Sequence, residues 1–115
     1  MKKVIFFSIV SASLFQFCHS SKKIAIAKSA HSPITYLGNV RPLMQDNCTP
    51  CHFPPKGFKK ALDTYPSASA NIDEMIRRIN LNSTDKGFMP FKHAKLNDSI
   101  IHVFEQWKKD GLPEK

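Results

Sequence analysis

The sequence predicts an all-α domain of three main helices with long loops. Apolar residues recur at helical spacing in three segments, and no segment alternates as a strand. The stretches between the helices, residues 53–70 and 84–96, are longer than simple connections, so they need a functional reason to exist. At 115 residues one domain is expected, and no internal repeat divides it.

The chain begins with a segment of a different kind. Met1-Lys2-Lys3 precedes residues 4–17, which are apolar except for Ser8, Ser11, Ser13 and Gln16. A short basic start and an apolar run of this length describe a signal peptide, residues 1–18. The run is shorter than the ~20 residues that span a bilayer. Cys18 directly follows it, where the lipidated cysteine of a bacterial lipoprotein would sit, although Phe15-Gln16-Phe17 lacks the small residues usual there. The alternative is cleavage after Ser20. Lipidation is preferred because it makes the polar, basic stretch 19–34 a tether for the domain at 35–113. Either way the mature protein is expected outside the cytoplasm, in the periplasm or cell envelope.

The first helix is expected to start at Asn39 as N-cap, with Pro42 in the first turn, where its missing N–H is harmless. Val40, Leu43 and Met44 give it an apolar face. The second is expected after Asn71, with Glu74 three residues on as in a capping box. Its stripe is Ile72, Met75, Ile76 and Ile79, and Asn80 to Ser83 end it. The third starts near Asn97 or Asp98 and buries Ile100, Ile101, Phe104 and Trp107, with Val103 on the flank. Lys108 and Lys109 suit its negative end, and Gly111 and Pro113 stop it.

The chemistry is concentrated where the first helix ends. Cys48-Thr49-Pro50-Cys51-His52 is a C-x-x-C-H run, the attachment site of c-type haem. Its two thiols reach the two vinyl groups of one porphyrin, and His52 can then bind the iron. The second axial ligand is sought among Met44, Met75, Met89, His31, His93 and His102. Met44 and Met75 lie on apolar helix faces and read as core. His102 reads as solvated, and His31 falls in the tether. Met89 is preferred: it lies in the loop Gly87-Phe88-Met89-Pro90-Phe91, where Pro90 restricts its backbone and two phenylalanines can shield a haem edge. His93, four residues on, is the rival. Met/His ligation raises the reduction potential relative to His/His.

These residues resemble class I cytochromes c, and more narrowly the small single-haem domains of bacterial exported proteins. The resemblance covers about residues 35–113. It rests on Val40-Arg41-Pro42-Leu43 before the haem motif, Leu62-Asp63-Thr64-Tyr65, Met89-Pro90, and Leu96 into a helix ending Trp107-Lys108-Lys109-Asp110-Gly111. It implies a cytochrome c-like domain with thioethers at Cys48 and Cys51, and with His52 and Met89 as axial iron ligands. It also implies a crossing of the first and last helices, with Leu43 or Val40 against Phe104 and Trp107. One departure is the Phe53-Pro54-Pro55 run directly after His52, where family members usually keep a small or flexible residue. The carbonyl that orients the His52 ring is placed at Pro66 or a neighbour.

The function expected is therefore one-electron transfer between redox partner proteins, without catalysis of a substrate reaction. The formal net charge of +8 points to acidic partners or membrane surfaces. Lys56, Lys59, Lys60, Lys86, Lys92 and Lys95 flank both key loops and either steer such partners or form an ordinary solvated surface. No basic helix or aromatic-basic motif concentrates the charge for nucleic acid. The alternatives keep the haem: an open distal face with peroxidase-like or ligand-sensing activity, or a tethered subunit of a larger oxidoreductase complex. Thioredoxin-like dithiol chemistry would need the motif at the start of a helix after a strand, and structural zinc a fourth ligand.

Overall fold

The structure, a computed structural model, describes residues 32–57 and 59–115. The signal segment, Cys18, the possible cleavage after Ser20, His31 and most of the proposed tether lie outside the described residues. All the regular structure among the described residues is helical: a π turn Tyr36–Val40 running directly into α1 (Arg41–Cys48), then α2 (Tyr65–Ala70), α3 (Ile72–Asn80) and α4 (Asp98–Lys109). Among them no helix is long and apolar enough to cross a membrane.

The first helix starts a turn earlier than the sequence predicts. Thr35 is its cap: the backbone there is extended, and Oγ1 accepts from Gly38 N at 3.2 Å. Asn39 acts in the opposite direction, its Oδ1 accepting from Thr35 N at 2.9 Å. Each side chain thus satisfies a backbone donor of the other's neighbourhood, as in a capping box lengthened by one residue. Gly38 permits this approach, since a Cβ there would stand 2.9 Å from Thr35 Oγ1.

α2 lies inside a stretch that the sequence presents as loop. Thr64 caps it, with Oγ1 accepting from Ser67 N at 3.4 Å, and Pro66 occupies its first turn. α3 follows at once, but Asn71 makes no side-chain cap. Its Oδ1 accepts from Lys60 Nζ and its Nδ2 donates to Ser67 O, while Glu74 turns to Arg77 and Arg78. The expected capping box is therefore absent because both of its members have other partners.

α4 forms as expected. Asn97 Oδ1 accepts from Ile100 N at 2.9 Å. Ile101, Phe104 and Trp107 are buried, and Ile100 and Val103 are half-buried. At its end, Gly111 N donates to Lys108 O and Leu112 N to Trp107 O, a Schellman closure. Gly111 takes the left-handed conformation this requires, with φ +89°.

The core gathers where the π turn meets α4. Trp107, Tyr36, Met44 and Val40 are the largest fully or almost fully buried side chains, each worth roughly 1.5–3 kcal/mol of burial. Tyr36, Tyr65 and Trp107 pack as an aromatic trio with centroids 5.7–6.4 Å apart. Their polar atoms are all used: Tyr36 donates to Asp63 O, Tyr65 to Leu112 O and Trp107 to Pro113 O. The contact with α4 runs through the π turn, with Tyr36 as the residue the sequence reading missed. Ile34 also packs on this core and donates its N–H to Asp110 at 2.8 Å. α3 lies against α4, tied by Asn80 Nδ2 to Glu105 and by an exposed Lys108–Asp73 pair.

Candidate functional site

The C-x-x-C-H motif opens on a cavity of about 590 Å³. α1 ends at Cys48, and the turn that follows carries Cys51 and His52. His52 N donates to Cys48 O at 3.1 Å, which folds the motif's backbone into a turn directly after α1. Residues 59–62 lie over the motif and grip it. Lys59 N donates to Cys51 O at 3.2 Å and Leu62 N to His52 O at 2.9 Å.

His52 itself is oriented by Lys60, whose carbonyl lies 2.7 Å from Nδ1. That corrects the assignment to Pro66 or a neighbour. Pro66 belongs to the first turn of α2, whereas residues 59–62 lay the Lys60 carbonyl on the ring. A carbonyl only accepts, so in the neutral ring this bond puts the proton on Nδ1. Nε2 keeps its lone pair and can serve as a ligand. A partner on the non-ligating nitrogen is what metal-bound histidines use to fix their tautomer.

The rest of the lining comes from distant parts of the chain. The loop after α3 brings Met89, Pro90, Phe91 and His93 to the same cavity as Cys48, Cys51 and His52. Apolar wall is added by Leu62, Leu96, Phe104 and, from α3, Met75 and Ile79. Lys59, Lys60 and Arg78 give it a basic edge. Of the other ligand candidates, Met44 is fully buried in the core and His102 is exposed on α4. Met75 packs against the core and reaches the cavity too.

Burial pushes the Cys48 thiol up to about 11, so it is not the ready thiolate that dithiol exchange employs. The motif also follows a helix C-terminus, the negative end. Among the described residues no three His, Cys, Asp or Glu side chains gather as a site for a bare metal ion. The donors present are the two thiols, the imidazoles of His52, with a free Nε2 lone pair, and His93, and the thioethers of Met75 and Met89, around a largely apolar space. That set suits a flat apolar cofactor that brings its own metal, and the volume lies within the ~300–1,000 Å³ of small-molecule sites.

Two contributors were not legible as functional residues: the Lys60 carbonyl and Arg78. Backbone acceptors have no sequence signature, and Arg78 looks like the polar face of α3. No family model, curated protein or solved structure matches the chain.

Proposed function

We propose that this protein is a monohaem c-type cytochrome with a class I cytochrome c fold, an electron carrier of the bacterial cell envelope. In this reading Cys48 and Cys51 hold the haem through thioethers, and His52 Nε2 and the Met89 sulfur are its axial ligands. The haem supplies a one-electron Fe(III)/Fe(II) couple. The chain's own work is to bind, orient and shield. Lys60 O holds the His52 ring in its ligating tautomer. Leu62, Ile79, Leu96 and Phe104 exclude water from the cavity and lower its polarity, both of which tune a haem's potential.

The observation that carries the reading is the convergence of Cys48, Cys51, His52 and Met89 on one apolar cavity. The packing of the first helical turn on α4 through Tyr36 and Trp107 supports the fold assignment. Export, and a lipid on Cys18, rest on the N-terminal sequence alone. The exposed Lys56, Lys59, Lys60, Lys86, Lys92 and Lys95, with exposed Phe91 between the last of them and Met89, suit redox partners with acidic docking surfaces.

The test is an optical spectrum of the purified protein in both redox states. Covalent, low-spin haem is expected, with a weak long-wavelength iron–methionine band in the oxidised form that Met89→Ala abolishes. Absence of covalent haem would end the reading. A high-spin haem that readily binds added ligands would transfer it to the open-faced alternative.

A further inference from the structure

The loop beside the cavity carries two donors. Met89 and His93 both line the space, and a turn closed by His93 N on Pro90 O at 3.2 Å keeps them close together. Imidazole is itself a good ligand for iron, so donor type alone does not select the thioether. The selection has to come from how the backbone is held.

The backbone is held by one residue of α3. Arg78 O accepts from Met89 N at 3.3 Å, and Arg78 Nη1 donates to Gly87 O at 3.2 Å. Main chain and side chain of a single residue thus fasten the positions on either side of Phe88, which is itself buried. The guanidinium is set before it reaches the loop. Its Nε donates to Glu74 Oε1 at 2.7 Å, and Arg77 holds the same carboxylate through Nε and Nη2, each at 2.7 Å. Gly87 has φ +92°, and a Cβ there would lie 3.3 Å from Arg78 Nη1. Beyond His93 the next tie to this helix is Lys95 Nζ on Asn80 O, made by an exposed, flexible side chain.

We propose that Arg78 is a positioning residue: by clasping Gly87 and Met89 to the end of α3, it presents Met89 rather than His93 as the second axial ligand. This rests on the haem reading above. Glu74 acts through Arg78, as a brace that keeps its fork directed at the Gly87 carbonyl.

The test uses the full-length holoprotein, its oxidised spectrum and its midpoint potential. In Arg78→Gln the shorter amide cannot bridge Glu74 and Gly87. The iron–methionine band is expected to fall severalfold, and the potential to shift downward as His/His ligation replaces His/Met. Adding His93→Ala to Arg78→Gln removes the competitor, and the band is expected to return. Glu74→Gln, which leaves Arg78 in place but unbraced, is expected to give a smaller loss of the same band, and it serves if Arg78→Gln does not fold. Arg78→Gln with wild-type band and potential overturns the proposal, as does a loss that His93→Ala does not reverse. A wild type without the band, or one whose band survives Met89→Ala, overturns the ligand assignment beneath it. A wild type that passes both checks isolates the clasp.

Discussion

The two nitrogens of His52 have different obligations, and the chain meets them with backbone. Nδ1 needs an acceptor, because a ring held by the chain on one side only could rotate away from the cavity. Lys60 O supplies it at 2.7 Å. That carbonyl stays in place because residues 59–62 are stitched to the motif at Cys51 O and His52 O. Gly57 also folds back on the motif, its N–H donating to Phe53 O at 2.9 Å. A Cβ at Gly57 would lie 3.0 Å from both Cys51 O and Phe53 O, backbone atoms that cannot swing aside. Gly57→Ala is therefore expected to cost about 1–3 kcal/mol of stability and to loosen the Lys60–His52 bond. Denaturant unfolding of the holoprotein, with its yield per cell, measures both, and an unchanged midpoint would show that the backbone there can relax. The sequence offers His52 and Met89 as candidates because side-chain type and spacing mark them, with His93 beside Met89 as the rival. It hides Lys60, whose contribution is a carbonyl, and Arg78, whose role depends on where a loop eleven or so residues further on comes to rest.

At the level of elements, α3 both lines the cavity and anchors its loop, so its own stabilisation matters. Glu74 accepts from Arg77 and Arg78, and these bonds hold its carboxyl down at about 2 rather than 4.5. A carboxyl whose folded pKa is depressed stabilises fully above its unfolded value. It loses that contribution as the pH falls through the folded one. The wild type is therefore expected to lose stability relative to Glu74→Gln between pH 4.5 and about 2, with a constant difference above that window. The pair is exposed, so added salt should shrink the difference. Denaturant midpoints across a pH series check this, and parallel curves for the two proteins would refute it. The elements themselves were unequally visible. α3 and α4 carry stripes of Ile, Phe and Trp at helical spacing, which no other structure would bury as well. α2, Tyr-Pro-Ser-Ala-Ser-Ala, has no stripe. Its signals were Thr64 as cap and Pro66 in the first turn, both easily lost in a proline-rich stretch. The start of the first helix was displaced because Asn39 is a good cap type, yet Thr35 precedes Tyr36, and it is Tyr36 that the core needs.

Across the whole molecule, the packed core and the cavity divide the domain between them. Tyr36, Val40, Met44 and Trp107 secure the meeting of the π turn, α1 and α4. Leu62, Ile79, Leu96 and Phe104 are also buried, but each shares the lining of the 590 Å³ space. At the roughly 24 cal/mol per Å³ that closed apolar cavities cost, an unfilled space of this size would cost on the order of 10 kcal/mol. Because the cavity is open at its mouth, the true figure is a fraction of that. Even a fraction is comparable to the ~5–15 kcal/mol by which whole domains are stable, and domains this small have little core to spare. In the proposed haem reading, folding and attachment of the cofactor should therefore be one event. The Cys48→Ser/Cys51→Ser variant, produced without haem, is expected to lose much of the helical circular dichroism of the holoprotein and to melt without a cooperative transition. The aromatic trio joins the π turn, α2 and α4, so its near-ultraviolet signal should go with the helices rather than survive them. A haem-free chain that kept that signal and a sharp melt would show that the Tyr36–Trp107 core suffices, with the cavity walls as a self-supporting shell.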